Sequence, residues 1–171
     1  MTFPRTFSNA SGPASGSIDV SEFRGCENLK YVTAANPSLK ITGGEVDTSY
    51  TFDSFKEDVP AEFYLESVDS SQFHTCATNN YMAFSYLNSD GTKQNLYELT
   101  VQETSGKKAV YRVNSSNQLV YCEFDSGLET VTMPDTVGPY QITVIGSGIF
   151  RNNCYLRRIT IPSSITTIED S

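Results

Sequence analysis

Apolar residues recur at matching intervals in two distant parts of the chain. Near each end, four apolar positions are separated by steps of five, six and three residues, and a cysteine lies between the second and third positions. The two sets are Ile18, Phe23, Cys26, Leu29 and Val32, and Ile145, Phe150, Cys154, Leu156 and Ile159. A shared spacing of this kind predicts internal repeats, whose equivalent residues stack on one another.

A second repetition lies within the C-terminal part. Residues 131–134 read Val-Thr-Met-Pro and recur as Ile-Thr-Ile-Pro at 159–162, while Ile-Thr-Val-Ile at 142–145 recurs as Ile-Thr-Thr-Ile at 165–168. The two spacings differ because the earlier unit carries an insertion. The first pair lies 28 residues apart and the second 23, and a period near 23 lies in the leucine-rich-repeat range of about 20 to 29.

Each of these units has the pattern of a short strand followed by a turn. Ile159-Thr160-Ile161 alternates apolar with polar residues, as a half-buried strand does, and Pro162 ends the strand because it has no N–H to donate. The residues expected inside this repeat are Ile145, Phe150, Cys154, Leu156, Ile159, Ile161, Ile165 and Ile168. No unit buries its own apolar edge, so the units must stack, and a chain ending within a unit at Ser171 is expected to be a truncated array.

The run 142–168 resembles the BspA-like leucine-rich repeats of bacterial surface proteins, also called the Treponema pallidum type. It carries that family's Ile-Gly, Phe, Cys, Leu, Ile-x-Ile-Pro and Ile-x-x-Ile positions, although Ile149 replaces the usual Ala and Cys154 is displaced by one residue. The resemblance implies a secreted or cell-surface location and adhesion to a protein or to a host or bacterial surface. It implies a mainly β fold with short helices, an α/β solenoid.

The expected architecture is a leucine-rich-repeat stack with a degenerate N-terminal repeat and an inserted β-rich middle segment. In the middle, Ser70 or Ser71 is expected to cap a short helix that turns Phe73 and Ala77 inward. The expected segments are a flexible linker at 1–17, a degenerate capping repeat at 18–41, an irregular acidic insertion at 42–60, a strand-helix-strand unit at 61–95, a β meander at 96–124 and regular repeats at 125–171.

Composition and charge exclude several classes of function. A formal net charge of -8 argues against a nucleic-acid partner, because phosphate binding depends on clustered Lys and Arg. The sequence has no apolar run long enough to span a membrane, and residues 1–17 lack the apolar core of a signal peptide. The four cysteines form no C-x-x-C pair, which disfavours zinc and redox sites, and a Cys76–Cys122 disulfide stays open.

The residues that carry chemistry elsewhere are sparse here, so neither an enzyme nor a cofactor or metal site is expected. His74, the single histidine, is interpreted as a surface or half-buried structural residue. Gly146-x-Gly148 has Arg151 where a dinucleotide fingerprint has its third glycine, and it lies in a repeat turn. The many carboxylates are interpreted as a solvated surface.

The expected function is therefore a non-catalytic protein-binding or adhesion module. Tyr121, Tyr140 and Tyr155 are its candidate contacts, because tyrosine offers a large contact area at low entropic cost. The alternative is a carbohydrate-binding or carbohydrate-processing protein with a site in residues 42–124, where Tyr81, Tyr86 and Tyr97 would stack on sugar rings. A third interpretation treats this middle region as a spacer.

Overall fold

A computed structural model describes residues 2–3, 17–19, 29–34, 36–42 and 64–170. The chain divides into two compact units, Met1–Gln94 and Asn95–Ser171. Within the described residues no helix is long and apolar enough to cross a membrane.

Among its described residues, the first unit contains parallel strands and one short helix. Its elements are β1 (Thr2–Phe3), β2 (Ser17–Asp19), β3 (Tyr31–Ala34), β4 (Lys40–Thr42), β5 (Tyr64–Ser67), α1 (Gln72–Asn79) and β6 (Phe84–Leu87). Strands β1, β3, β5 and β6 pair in this order, all parallel, and β2 pairs with β4, also parallel.

The core of the first unit follows from the strand register. Val32, Leu65 and Phe84 occupy equivalent positions on β3, β5 and β6, and all three are buried. Helix α1 contacts β5 and turns Phe73 and Ala77 into the interior. The helix begins after Ser71, whose Oγ accepts from the backbone N–H of His74 at 3.1 Å, so Ser71 is the N-cap.

The second unit contains nine strands among the described residues. They are β7 (Lys93–Gln102), which begins in the last two residues of the first unit, β8 (Lys108–Asn114), β9 (Gln118–Phe124), β10 (Thr130–Thr132), β11 (Thr136–Val137), β12 (Tyr140–Gln141), β13 (Val144–Ile145), β14 (Arg158–Thr160) and β15 (Thr167–Ile168). Strands β7, β8 and β9 form an antiparallel meander, followed in parallel by β13 and then β15. A parallel pair, β10 and β14, and a hairpin, β11 and β12, complete the unit.

Parallel pairing brings together the positions that repeat in the sequence. Val131 on β10 pairs with Ile159 on β14, and Ile145 on β13 pairs with Ile168 on β15. Between these strands the N–H of Thr166 donates to the carbonyl oxygen of Thr143 at 2.8 Å. The matched residues of successive repeats are therefore direct neighbours in space, as stacking requires.

The residues of the expected repeat core differ in exposure. Val32 and Ile145 are buried, and Leu29, Phe150, Leu156, Ile159 and Ile165 are half-buried. Ile18 lies in β2, and Phe23 and Cys26 fall outside the described residues.

Three residues were wrongly expected in the interior, because Cys154, Ile161 and Ile168 are exposed. Ile161 and Ile168 belong to the last described repeat, which no later described strand covers, so both are open to solvent. Cys154 lies in a turn on the surface, beside Asn152, whose φ of 72° is in the left-handed region.

Candidate functional site

The three candidate tyrosines lie in different surroundings. Tyr121 and Tyr155 are exposed and Tyr140 is half-buried. Tyr121 and Phe124 project from opposite faces of β9, because strand residues alternate between the two faces and these two are three positions apart. Tyr155 lies with Phe124 in the lining of a surface groove, so the structure does not gather the three tyrosines into one patch.

Tyr121 belongs to a row of charged and polar side chains that crosses the meander. Glu98 on β7 pairs in register with Arg112 on β8, which pairs with Tyr121 on β9. Arg112 Nε lies 2.6 Å from Glu98 Oε2, and its guanidinium carbon lies 4.5 Å from the centre of the Tyr121 ring. The Tyr121 hydroxyl donates to Glu123 Oε2 at 2.7 Å. We call these four residues the second-unit ladder.

The surroundings of Tyr121 fix its ring and its protonation state. The hydrogen bond to Glu123 and, to a smaller extent, partial burial raise the pKa of Tyr121, so the phenol stays neutral at physiological pH. A cation over the ring face adds an attraction to the ring electrons. An exposed aromatic ring held on both sides loses little conformational entropy when a partner covers it.

Val120 adds an exposed apolar side chain beside Tyr121. The pairing of β8 with β9 changes register between Arg112 and Val113, so that Arg112 pairs with Tyr121 while Val113 pairs with Leu119. Val120 is left between the two paired positions and is exposed. Irregularities of this kind commonly redirect side chains on a strand. We call Arg112, Val120, Tyr121 and Glu123 the meander face.

Tyr155 lies in a shallow groove on the other side of β9. The groove has a volume of about 240 Å³ and lies between the turn that follows β9 and the turn that precedes β14. Its lining is Phe124, Asp125, Ser126, Leu128, Asn152, Asn153, Cys154, Tyr155 and Leu156. The Phe124 ring stacks on Phe150, with centroids 6.4 Å apart, so one wall of the groove rests on a packed aromatic pair.

Tyr140 contributes more to packing in the interior than to the exposed surface. Its ring meets the buried Tyr97 ring edge-on, at a centroid distance of 5.3 Å. Gly138, in the turn of the hairpin, has a φ of 58°, and a Cβ at this position would overlap the Tyr97 ring. The hairpin therefore closes tightly over Tyr97 and holds Tyr140 in place, which makes Tyr140 a weak candidate for partner contact.

The first unit has a comparable row of polar side chains. Glu66 on β5 pairs in register with Thr33 on β3 and Ser85 on β6, and both hydroxyls donate to its carboxylate, at 2.9 and 3.0 Å. Lys93 Nζ lies 3.0 Å from Glu66 Oε2 and 4.5 Å from the centre of the Tyr31 ring. We call these five residues the first-unit ladder, which the sequence analysis did not anticipate. Only a repeated strand spacing in the middle segment could have indicated it.

Two of the three tyrosines that were expected to stack on sugar rings do not lie on the surface. Tyr86 and Tyr97 are buried, so neither presents a ring face to a ligand, and Tyr81 is half-buried with a φ of 55°. That interpretation was wrong for Tyr86 and Tyr97. These tyrosines lie on strands β6 and β7 and contribute to packing, which their spacing in the sequence does not reveal.

His74 is half-buried at the start of α1. Its Nδ1 accepts from the backbone N–H of Ser70 at 3.2 Å and lies 3.1 Å from Asp69 Oδ1. Its Nε2 lies 3.3 Å from the Tyr86 hydroxyl, and its ring packs beside Phe84 at 4.7 Å. Both ring nitrogens thus contact neighbouring groups, and His74 links the helix cap to β6.

The described residues contain no group of three His, Cys, Asp or Glu side chains arranged to hold a metal ion. Cys76 and Cys122 are both free, which answers the disulfide question, and burial raises the pKa of each thiol to about 12. Gly146 lies against β9, where a Cβ would come within 2.8 Å of the Leu119 carbonyl oxygen. That glycine is required for packing between repeats.

Comparison with known proteins finds one family. The family model described as the BspA type leucine rich repeat region matches residues 48–171, in six copies. No curated protein and no solved structure matches the chain. The match includes helix α1 and the meander, so it extends over residues that the sequence repetition alone did not divide into repeats. The chain belongs to the family of BspA type leucine-rich repeats.

Proposed function

We propose that the chain is a non-catalytic protein-binding module of a secreted or cell-surface bacterial protein, and that the meander face contacts its partner in adhesion. Leucine-rich-repeat families generally have protein-interaction roles without catalysis, and BspA type repeats are often secreted or displayed on the surface. The parallel pairs β10 with β14 and β13 with β15 support a solenoid in this region, because each repeat contacts its neighbour in register.

The observation that carries this proposal is the state of Tyr121. Its ring is exposed on a paired strand, lies under the Arg112 guanidinium and is anchored by the bond to Glu123. Tyrosine and arginine are the side chains most enriched among residues that dominate binding energy at protein interfaces. Val120 widens the surface with an apolar group. The meander face thus offers an apolar centre with charged residues at its edge, the usual arrangement of a binding patch.

The experiment measures binding of the purified chain to a panel of extracellular-matrix, plasma and bacterial surface proteins by surface plasmon resonance. Tyr121→Ser tests the meander face, and Tyr155→Ser is the matched control, because both tyrosines are exposed and they lie on different faces. We expect Tyr121→Ser to weaken binding by about tenfold or more, which is at least about 1.4 kcal/mol. We expect Tyr155→Ser to leave the affinity unchanged.

Two results would contradict the proposal. A chain that binds no member of the panel would not be an adhesion module of the proposed kind. A binding reaction that loses affinity with Tyr155→Ser and keeps it with Tyr121→Ser would place the contact at the groove. Circular dichroism of both variants guards against loss of fold, which is not expected because both side chains are exposed.

A further inference from the structure

The groove beside Tyr155 lies between equivalent turns of two successive repeats. The turn at 125–128 leads into β10 and the turn at 152–156 leads into β14, and these two strands pair in parallel. Next to the groove, the carbonyl oxygen of Glu129 accepts from the N–H groups of Arg157 and Arg158, at 2.8 and 3.0 Å. The groove is therefore enclosed by two neighbouring repeats and not by an open end of the stack.

Hydrogen bonds hold the first wall of the groove in place. Asp125 Oδ2 accepts from the backbone N–H of Lys108 at 2.7 Å. Lys107 Nζ donates to the carbonyl oxygen of Ser126, also at 2.7 Å. A groove with a fixed wall loses little conformational entropy when a ligand enters it.

Three polar groups in the groove have no hydrogen-bond partner within the part of the chain that the structure describes. They are Asp125 Oδ1 and the side-chain amides of Asn152 and Asn153. Each amide carries an acceptor oxygen and two N–H donors, and the carboxylate oxygen accepts. These groups are complementary to hydroxyls, which both donate and accept.

Aromatic and aliphatic side chains supply an apolar part of the lining. The Tyr155 ring is 55% exposed, and the half-buried Phe124 is stacked on Phe150. The face of an aromatic ring is electron-rich and attracts the C–H groups of a ring that lies on it. A pyranose ring has C–H groups on its faces and hydroxyls around its edge, so it matches both parts of the lining.

The charges and the size of the groove favour a neutral ligand with one ring. Lys107 contacts the same turn as Asp125, and Arg157 Nε lies 3.5 Å from Glu129 Oε2, so the charges around the groove occur in opposite pairs. The volume of about 240 Å³ is below the range of about 300 to 1,000 Å³ that drug-sized ligands occupy. The groove thus has room for a single sugar ring.

We propose that this groove binds one neutral pyranose ring of a glycan. The sugar lays one face on Tyr155, and its hydroxyls bond to Asp125 and to the amides of Asn152 and Asn153. A ligand of this size makes few contacts, so we expect a Kd of about 1 to 10 mM.

The sugar groove and the meander face are separate sites, so either proposal can fail without the other. Tyr155 and Tyr121 lie on different sides of β9. A contact in the millimolar range adds little to the affinity of a protein partner, which agrees with the expectation for Tyr155→Ser in the protein panel.

The first test follows the full 171-residue chain, labelled with nitrogen-15, by nuclear magnetic resonance. Methyl glycosides of glucose, galactose, mannose and N-acetylglucosamine are each added to about 50 mM, well above the expected Kd. We expect at least one of them to shift the amide signals of Asn152 and Asn153. Cyclohexanol, which lacks most of the hydroxyls, and methyl glucuronide, which adds a negative charge, should each bind at least about fivefold more weakly than the best glycoside.

The second test changes side chains inside and outside the groove. Tyr155→Ser removes the stacking face and should weaken binding at least about fivefold, while Tyr155→Phe should bind almost as the wild type does. Asn153→Ala should also weaken binding, because it removes the amide. Tyr121→Ser is the matched control, since it removes an exposed tyrosine on the other side of β9, and it should bind as the wild type does. Unchanged signals elsewhere in the spectrum show that each variant is folded.

Each of four results would overturn the proposal. The wild-type chain could show no shift with any of the four glycosides, or cyclohexanol could bind as tightly as the best of them. Tyr155→Ser could bind the best glycoside as the wild type does. Loss of sugar binding in Tyr121→Ser with retention in Tyr155→Ser would place the sugar at the meander face instead.

Discussion

Each of the two ladders contains a buried glutamate, but the groups that contact this glutamate differ between the ladders. Glu66 in the first unit and Glu98 in the second are both almost fully buried, and each lies beside a cation that covers a tyrosine ring. Glu66 lies between parallel strands and accepts from two hydroxyls in addition to Lys93. Glu98 lies in an antiparallel meander and makes a short ion pair with Arg112.

The exposure of the two cations differs, and this decides which groups do most to hold each glutamate. Lys93 is 52% exposed, so water screens its charge, and the Thr33 and Ser85 hydroxyls do more to hold Glu66. Arg112 is 28% exposed and lies 2.6 Å from its carboxylate, so its charge is less screened. Two hydroxyls thus support the glutamate of the first-unit ladder, and a little-screened ion pair supports that of the second-unit ladder.

Each unit contains a thiol whose pKa is raised by burial, since Cys76 is buried and Cys122 is half-buried, and alkaline solution should give the largest effect. The pKa of Cys76 in the first unit and of Cys122 in the second is raised by burial from 9.0 to about 12. A pKa raised in the folded state stabilises the fold fully below the unfolded value, and this contribution is lost as pH rises from about 9 to about 12. Urea denaturation followed by circular dichroism at rising pH should show this loss. The double variant Cys76→Ala and Cys122→Ala should lose less than the wild type, and equal losses would contradict the prediction.

Arg112→Met should be the most destabilising of the ladder substitutions. It keeps much of the side-chain length but removes the guanidinium from a buried carboxylate, and breaking such a pair costs about 3 kcal/mol. Cys76 is buried and Cys122 is half-buried, so each thiol should react faster with a thiol reagent when the structure of its own unit opens. In a background of Cys26→Ser and Cys154→Ser, we expect Cys122 to be labelled much faster in this variant. Unchanged labelling of Cys122 would show that Arg112 is dispensable.

Ser85→Ala should destabilise the first unit more than Lys93→Met, the other substitution in the first-unit ladder. Ser85 is buried and donates to Glu66 Oε2 at 3.0 Å, and a hydrogen bond to a charged group contributes about 2 kcal/mol. The readout is labelling of Cys76, which lies in the same unit. Thr75→Ala is the control, because Thr75 is an exposed residue on α1 and its hydroxyl donates to the carbonyl oxygen of Ser71 and not to Glu66. Equal labelling of Cys76 in Ser85→Ala and Thr75→Ala would argue against the Ser85 hydroxyl as a main support of Glu66.

Much of this fold could be predicted from residue patterns. A helix cap at Ser70 or Ser71, inward positions for Phe73 and Ala77, and a β meander at 96–124 agree with the structure. Local preferences decide these features, because caps, turns and alternation depend on residues close in sequence. The repetition at 131–134 and 159–162 also located a pair of neighbouring strands.

The ladders and the exposure of the last repeat could not be predicted in this way. Glu66 and Ser85 become neighbours only through the pairing of β5 with β6, and nothing in the sequence marks Glu66 among the other acids. Ile145 and Ile168 have the same residue type and the same place in the repeat, yet one is buried and one exposed. Burial in a repeat stack depends on the neighbouring repeat, which the pattern within one repeat does not contain.

Lys93→Met should have a smaller effect than either of the preceding substitutions. It removes the ammonium from Glu66, while the Thr33 and Ser85 hydroxyls still donate to the carboxylate. An ion pair with one half-exposed partner contributes below about 1 kcal/mol and weakens with added salt. We expect Cys76 labelling to rise only slightly, and the difference from wild type to shrink at high ionic strength. If Lys93→Met lowers stability as much as Arg112→Met does, the two ladders do not differ in the way described.

Tyr121→Phe should change stability least and is the most selective test of how the second-unit ladder works. The substitution keeps the ring under Arg112 and removes only the hydroxyl that donates to the exposed Glu123, so the cost should be below about 0.5 kcal/mol. Denaturant midpoints should be almost unchanged, and so should labelling of Cys122. Tyr121→Ser removes the ring as well and should destabilise more, because Arg112 then loses its cation–π contact. If Tyr121→Phe costs as much as Tyr121→Ser, the hydroxyl and not the ring holds this end of the second-unit ladder, and the cation over the ring contributes nothing to the order of the meander face.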